Sequence, residues 1–324
     1  MVGSRPMAKV LVSGPLPGPD IDRLRASHDV EIGGEPRGLG RDGFLARLSE
    51  HDAILPFVTD TIDREVLSRG PRLRVVANCG VGVDNIDLGA CRERGIAVTN
   101  TPGVLTDATA DATFALILDA CRGVTAGDRA VRAGRWRGWA PTEFIGVRAS
   151  SATLGIVGLG RIGRAVAARA RGFSMRVLYT QRTRLAAELE GEMGVTFAGL
   201  DELFAASDIV CLCCPLTPET RGLVSRARLA TMKKGAVLVN TSRGPCVDEE
   251  ALAEALNTGH LFAAGLDVYA EEPKISPALL ACENVVLAPH LGSADRPTRE
   301  AMARICVEAV LAVLSGEEPK TRVV

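Results

Sequence analysis

No charge of either sign prevails in this sequence. Its 324 residues carry 38 Lys and Arg against 39 Asp and Glu, mixed throughout, for a net charge of -1. No basic stripe is present to follow a phosphate backbone and no polybasic run to hold an anionic lipid surface. Nucleic-acid and membrane partners are therefore excluded. Long apolar runs are missing too: the longest are strand-length or broken by charge, which excludes a transmembrane span. Met1-Val2-Gly3-Ser4-Arg5-Pro6-Met7 is followed by no apolar region, so it is no signal peptide. It reads as a tag scar or ragged start, with Met7 as the natural first residue. Nine cysteines are scattered through apolar segments. No His or second Cys pair completes a metal site around Cys211, Cys213 and Cys214. Small buried thiols in a reducing cytoplasm explain them better, and a cytoplasmic protein without metal is expected. There is no internal repeat and no low-complexity tract.

What is present is alternation. The length suits about two domains, and 47% hydrophobic with 24% charged residues is ordinary globular usage. Strand-like runs at Lys9 to Ser13, Ala53 to Phe57, Leu73 to Asn78 and Ala97 to Asn100 are separated by amphipathic stretches. A long apolar helix is predicted over Asp107 to Arg122. It is apolar around too much of its circumference for a surface helix, so it packs within the chain or against a partner. Alternation then restarts with Thr153 to Val157, Arg176 to Thr180, Ile209 to Cys214, Ala236 to Asn240, Ala263 to Asp267 and Val285 to Ala288. A last helix covers Arg299 to Leu314. The expected fold is α/β, with two domains, each an open parallel sheet with flanking helices. Residues 103–289 form a Rossmann-type dinucleotide domain inserted into a flavodoxin-like substrate domain of residues 1–102 and 290–324.

Gly158-Leu159-Gly160-Arg161-Ile162-Gly163 lies between a strand-like and a helix-like segment. Gly158 suits the tight turn, Gly160 lets backbone approach a pyrophosphate, and Gly163 lets helix pack on strand. Free N–H groups at the helix start, from Arg161 and Ile162 onward, then meet the phosphates. The acid expected about 20 residues on, for the ribose 2′-hydroxyl, is absent. Gln181-Arg182-Thr183-Arg184 stands there instead, and no acid appears before Glu188. Arginines and a hydroxyl suit a 2′-phosphate, which favours NADP, with NAD as the alternative.

Three later segments end strands in polar residues: Asn240 to Pro245, Gly265 to Pro273 and Pro289 to Ser293. Ligands of open α/β sheets bind beyond the carboxyl ends of strands, so Arg243, Glu272 and His290 are expected to converge. Of the four histidines, His28, His51 and His260 read as structural or solvent-facing.

With these segments in order, and with Gly80-Val81-Gly82-Val83-Asp84-Asn85-Ile86-Asp87 and Cys214-Pro215-Leu216-Thr217-Pro218-Glu219-Thr220, the chain resembles the D-isomer-specific 2-hydroxyacid dehydrogenase family over nearly its whole length. The last two polar segments and the Gln181 to Arg184 loop most resemble the glyoxylate/hydroxypyruvate reductase branch. The resemblance implies His290 as the general acid in ketone reduction and Glu272 as the partner that favours the charged imidazole. It implies Arg243 on the substrate carboxylate and carbonyl, with the Val81 and Gly82 amides cradling the same carboxylate. Thr106, Pro215, Thr220, Thr241, Asp267 and Gly292 would line the cofactor. Trp139 would reach a partner subunit's pocket in a homodimer built on the Asp107 to Arg122 helix. The implied reaction is NADPH-dependent reduction of a small 2-oxo acid to the D-2-hydroxy acid.

Rival readings exist. Short-form phosphoglycerate dehydrogenase shares the motifs, although no regulatory domain follows Val324. Arg137-Gly138-Trp139-Ala140-Pro141 resembles phosphite dehydrogenases, which carry lysine where Val81 stands. Formate dehydrogenase would replace Glu272 by Gln. From another class, a corepressor-like dinucleotide-binding module shares fold and triad and acts by binding partners.

Overall fold

The computed structural model describes residues 7–34 and 36–324. The reading of residues 1–6 as a ragged start lies outside the described residues. The chain divides into two compact units, Met1–Leu105 with Ala294–Val324, and Thr106–Ser293. Both crossings fall a few residues later than the 102/103 and 289/290 boundaries expected from sequence. The first moves because the helix Thr106–Arg122 belongs to the second unit. The second moves because the main-chain N–H groups of His290, Leu291 and Gly292 all donate to Asp267, at 3.0, 2.6 and 2.8 Å. His290 therefore sits in the inserted unit, not in the outer one.

The first unit holds five parallel strands, β1 (Lys9–Val12), β2 (Asp29–Ile32), β3 (Ala53–Leu55), β4 (Val75–Ala77) and β5 (Ala97–Thr99), in the order β2-β1-β3-β4-β5. That order is flavodoxin-like. Successive strand residues serve opposite faces. Val10, Val12, Ala53, Leu55, Val75 and Ala77 pack with Cys306, Val307, Val310 and Leu314 of the helix Arg296–Ser315. Leu11, Ile54, Val76 and Val98 pack on the other side with Phe44, Leu48, Val66 and Leu67. A sheet covered on both faces explains why β1, β3 and β4 read as unbroken apolar runs. β2 is different. It is an edge strand, its residues alternate between exposed and half-buried, and it shows no apolar run.

The second unit holds seven parallel strands, β6 (Thr153–Val157), β7 (Arg176–Thr180), β8 (Val195–Phe197), β9 (Ile209–Leu212), β10 (Ala236–Asn240), β11 (Leu261–Leu266) and β12 (Val285–Leu287). Their order is β12-β11-β10-β9-β6-β7-β8. β6, the strand before the glycine turn, therefore lies where the winding reverses, the switch point at which doubly wound sheets bind ligands. Sequence alternation had pointed to six strands. The seventh, β8, is a three-residue edge strand. Ile209 and Cys211 serve one face of the sheet, and Val210 and Leu212 the other. The helix Thr106–Arg122 covers the first of these faces with Ala110, Phe114, Leu116, Ile117, Ala120 and Cys121. Among the described residues no helix is long and apolar enough to cross a membrane, and no cluster of His, Cys, Asp or Glu could hold a metal.

Candidate active site

The glycine turn joins β6 to the helix Arg161–Gly172. Gly158 has φ +95°, the left-handed region that favours glycine, and a Cβ there would lie 2.8 Å from the Cys213 carbonyl oxygen. A Cβ on Gly163 would lie 2.2 Å from the Gly158 carbonyl oxygen, so helix and turn touch backbone to backbone. Gly160, the N-cap, is the reverse case: a Cβ there would meet nothing within 4 Å. Two glycines thus close the turn, and the third leaves open space at a helix N-terminus of exposed or half-buried Gly160, Arg161 and Ile162. A pyrophosphate fits such a cradle, because the first N–H groups of a helix have no internal acceptor.

The loop after β7 carries Gln181, Arg182, Thr183 and Arg184. Structure divides its two arginines. Arg184 donates from Nε and Nη2 to the two oxygens of Glu190, at 2.9 and 2.8 Å, and its guanidinium lies over the Phe197 ring. Tyr179 donates its hydroxyl to the same carboxylate, at 2.6 Å. The Arg184 and Tyr179 bonds hold the Glu190 carboxyl down at about 2. Gln181 donates to the Thr183 carbonyl at 2.6 Å and shapes the loop, whereas Arg182 and Thr183 are exposed. Glu190 and Tyr179 were not foreseen from sequence. The one signal was an acid six residues after Arg184, which alone marks nothing.

At the carboxyl ends of β10, β11 and β12 stand the expected three. A Cβ on Gly244 would lie 1.8 Å from the Tyr269 carbonyl carbon, so only glycine lets the turn after Arg243 press against the Tyr269 backbone. Arg243 is further fixed by Asn240, whose Nδ2 donates to its carbonyl at 2.9 Å. Glu272 accepts the Tyr269 N–H at 3.1 Å and pairs with His290, Nδ1 to Oε2, at 2.9 Å. Burial pushes the Glu272 carboxyl up. The bond and charge of His290, the Tyr269 N–H and the Arg243 charge outweigh this and leave it below its usual value.

His290 has φ +56°, uncommon for a residue with a side chain. Asp267, only 1% exposed, holds it there through the three N–H donations to its carbonyl and carboxylate. Burial raises the Asp267 carboxyl despite the Leu291 and Gly292 N–H groups. Tyr269 adds a strut, donating its hydroxyl to the Ala288 carbonyl at 2.8 Å. Close by, a Cβ on Gly292 would lie 3.3 Å from the Asp267 carboxylate.

The remaining expected residues are placed as follows. Thr241 is 2.7 Å from Thr113, hydroxyl to hydroxyl. Thr220 donates its hydroxyl to the Pro215 carbonyl at 2.7 Å, closing that loop on itself. Thr106 opens the helix Thr106–Arg122. Trp139 is 86% exposed, in a segment that also exposes Trp136, Phe144 and Ile145. Val81 and Gly82 lie in the first unit, half-buried, after β4. His51 and His260 are structural, with ring nitrogens on the Arg47 and Leu229 carbonyls at 2.9 and 3.0 Å.

An imidazole held by a carboxylate, on the unit that carries the glycine turn, is an arrangement compatible with a hydride-transferring dehydrogenase. The comparisons with known proteins name the family. Residues 114–292 match the model of the D-isomer specific 2-hydroxyacid dehydrogenase NAD-binding domain. A glyoxylate reductase of Pyrococcus horikoshii is 46% identical over 319 residues, 97% of this chain and 95% of that one. A solved structure from Thermus thermophilus is 48% identical, with a TM-score of 0.90 over 98% of this chain and 100% of that one. An NADPH-dependent glyoxylate/hydroxypyruvate reductase of Sinorhizobium meliloti, solved with NADP and malonate, is 33% identical, with a TM-score of 0.85 over 98% and 96%. The chain belongs to the D-isomer specific 2-hydroxyacid dehydrogenase family, on its glyoxylate reductase branch, and is an NAD(P)-dependent oxidoreductase.

Proposed function

We propose that the protein reduces glyoxylate and related small 2-oxo acids, hydroxypyruvate among them, to D-2-hydroxy acids with NADPH. The observation that carries this reading is the His290–Glu272 pair, 2.9 Å apart on the unit of the glycine turn. A reduced nicotinamide, when bound, supplies the hydride to the 2-oxo carbon. This chain's residues do the rest. His290, with Nδ1 occupied by Glu272, gives the proton to the carbonyl oxygen from Nε2. Arg243 grips the carboxylate and polarises the carbonyl, helped by the Val81 and Gly82 amides. The unit of residues 106–293 is the dinucleotide domain, and the other is the substrate domain.

Gly158, Gly160, Arg161, Ile162 and Gly163 take the pyrophosphate. Thr106, Pro215, Thr220, Thr241, Asp267 and Gly292 surround the rest of the cofactor. Gln181, Arg182, Thr183 and Arg184 form the 2′-phosphate loop, in which exposed Arg182 and Thr183 make contact and Arg184 holds the loop from behind through Glu190. The relative solved with NADP supports this preference. The apolar side chains exposed around Trp139 support a homodimer in which Trp139 shapes the partner's substrate pocket. The test is kcat/KM for NADPH and NADH with glyoxylate, hydroxypyruvate, pyruvate and phosphite. Preference for NADPH and glyoxylate is expected. Preference for NADH would overturn the loop reading, and turnover of phosphite alone would overturn the substrate class.

A further inference from the structure

In the first unit, three successive carbonyl groups each face an internal donor. The Thr101 N–H donates to the Gly80 carbonyl at 3.0 Å. The Asn100 Nδ2 donates to the Val81 carbonyl at 2.8 Å. The Asn78 Nδ2 donates to the Gly82 carbonyl at 2.7 Å. A trans peptide sets the C=O of one residue opposite the N–H of the next. Fixing these three carbonyls inward therefore turns the N–H groups of Val81, Gly82 and Val83 the other way. Among the described residues, none of those three N–H groups takes part in the backbone-to-backbone bonds that tie this loop to its neighbours. The asparagines are themselves held. Asn85 donates to the Asn78 Oδ1 at 3.2 Å, which commits the Asn78 Nδ2 to Gly82, and Asn78 is fully buried. Gly80 allows the chain to pass at all, since a Cβ there would lie 2.2 Å from Val58 Cγ1.

We propose that Asn78 and Asn100 are positioning residues for recognition of the substrate's carboxylate, and that Val83 joins Val81 and Gly82 as a third amide of that cradle. The inference rests on the reading that the Val81 and Gly82 amides bind a carboxylate. Its physical content is orientation. Peptide dipoles hold an anion best when they do not have to turn as it arrives. The two side-chain amides remove that freedom while touching no substrate.

The test uses Asn100→Asp, which keeps shape and loses the donor, with Asn100→Ala and Asn78→Ala beside it. For Asn100→Asp, KM for glyoxylate and Ki for oxamate should rise together, by about 10- to 100-fold. The Kd for NADPH, the melting temperature and kcat should change little. A merely structural role would shift cofactor binding and melting along with KM. Independently of any variant, adding oxamate to the wild-type protein with NADP+ should move the NMR amide signals of Val81, Gly82 and Val83. Unchanged KM and Ki in folded Asn100→Asp would overturn the inference. So would unmoved amide signals in a wild-type protein that reduces glyoxylate. If the signals move with oxamate, and Asn100→Asp abolishes this, while wild type fails to reduce glyoxylate, the inference stands and the substrate reading fails.

Discussion

His290 Nδ1 lies 2.9 Å from Glu272 Oε2, and each residue comes from the end of a different strand segment. On the proposed reading the carboxylate orients the ring and leaves its other nitrogen for proton transfer. Glu272→Gln keeps the shape and removes the charge. Its kcat should fall by about 10²-fold or more, with KM for NADPH little changed. The wild-type rate should also fall on the acid side. The depressed Glu272 carboxyl keeps its pairing above the ordinary carboxylate value of 4.5 and loses it as pH drops through its lower folded value. A pH profile of kcat/KM for both proteins checks this. An identical acid limb in the variant would contradict it.

Asp267→Ala removes the acceptor of the Leu291 and Gly292 N–H groups and frees His290 from φ +56°. Stability should drop by about 1–3 kcal/mol, the usual cost of unmet buried donors. Because the His290 ring, the proposed proton donor, moves with the loop, kcat at a temperature where the variant is fully folded should fall too. Urea unfolding and steady-state assays give both numbers. Full kcat in a destabilised variant would detach the Asp267 loop from catalysis.

The two arginines of the loop after β7 should part company. Arg182→Ala should lower kcat/KM for NADPH about tenfold and leave NADH and melting unchanged, as loss of one charge-assisted contact predicts. Arg184→Ala should lower the melting temperature first, because it removes two of the bonds to Glu190, leaving only that from Tyr179, and uncovers Phe197. Equal effects of the two substitutions on coenzyme preference and on melting would reject the division.

How far the sequence carried this reading depends on where each residue lies. β6, β7 and β10 run over the residues expected from sequence, because both faces of a parallel sheet are covered and their apolar runs are unbroken. β2 and β8 were invisible. One has polar alternation at an edge, the other is a short edge strand with its middle residue exposed, and neither is distinguishable from a loop by pattern alone. The glycine turn and the three strand-end residues were legible because chain order and strand ends fix them. The Glu190 grip on Arg184 and the Asp267 hold on His290 were not, since both depend on how loops fold back. The compact units part at 293/294 and not at 289/290 for a reason of the same kind: the Asp267 bonds tie residues 290–292 to the inserted unit.

Glu190 also makes a prediction in pH. Its carboxyl is lowered from 4.5 to about 2, first by the Arg184 bond and then by the Tyr179 hydroxyl. A depressed carboxylate contributes its full stability above its unfolded value and loses it as pH falls toward the folded value. The contribution should therefore be intact above 4.5 and fade between 4.5 and about 2. Urea midpoints measured through that window should fall less steeply in Glu190→Gln than in the wild type. Parallel curves would show that the pair does not govern acid stability.

The most direct test is steady-state reduction of glyoxylate by NADPH in wild type and in His290→Ala, with the Kd for NADPH measured by fluorescence in both. Wild type should turn over, and the variant should lose about 10²- to 10⁴-fold in kcat, the usual worth of a general acid, at an unchanged Kd. Equal turnover in the two proteins would contradict the assignment of the reaction to His290 and Glu272.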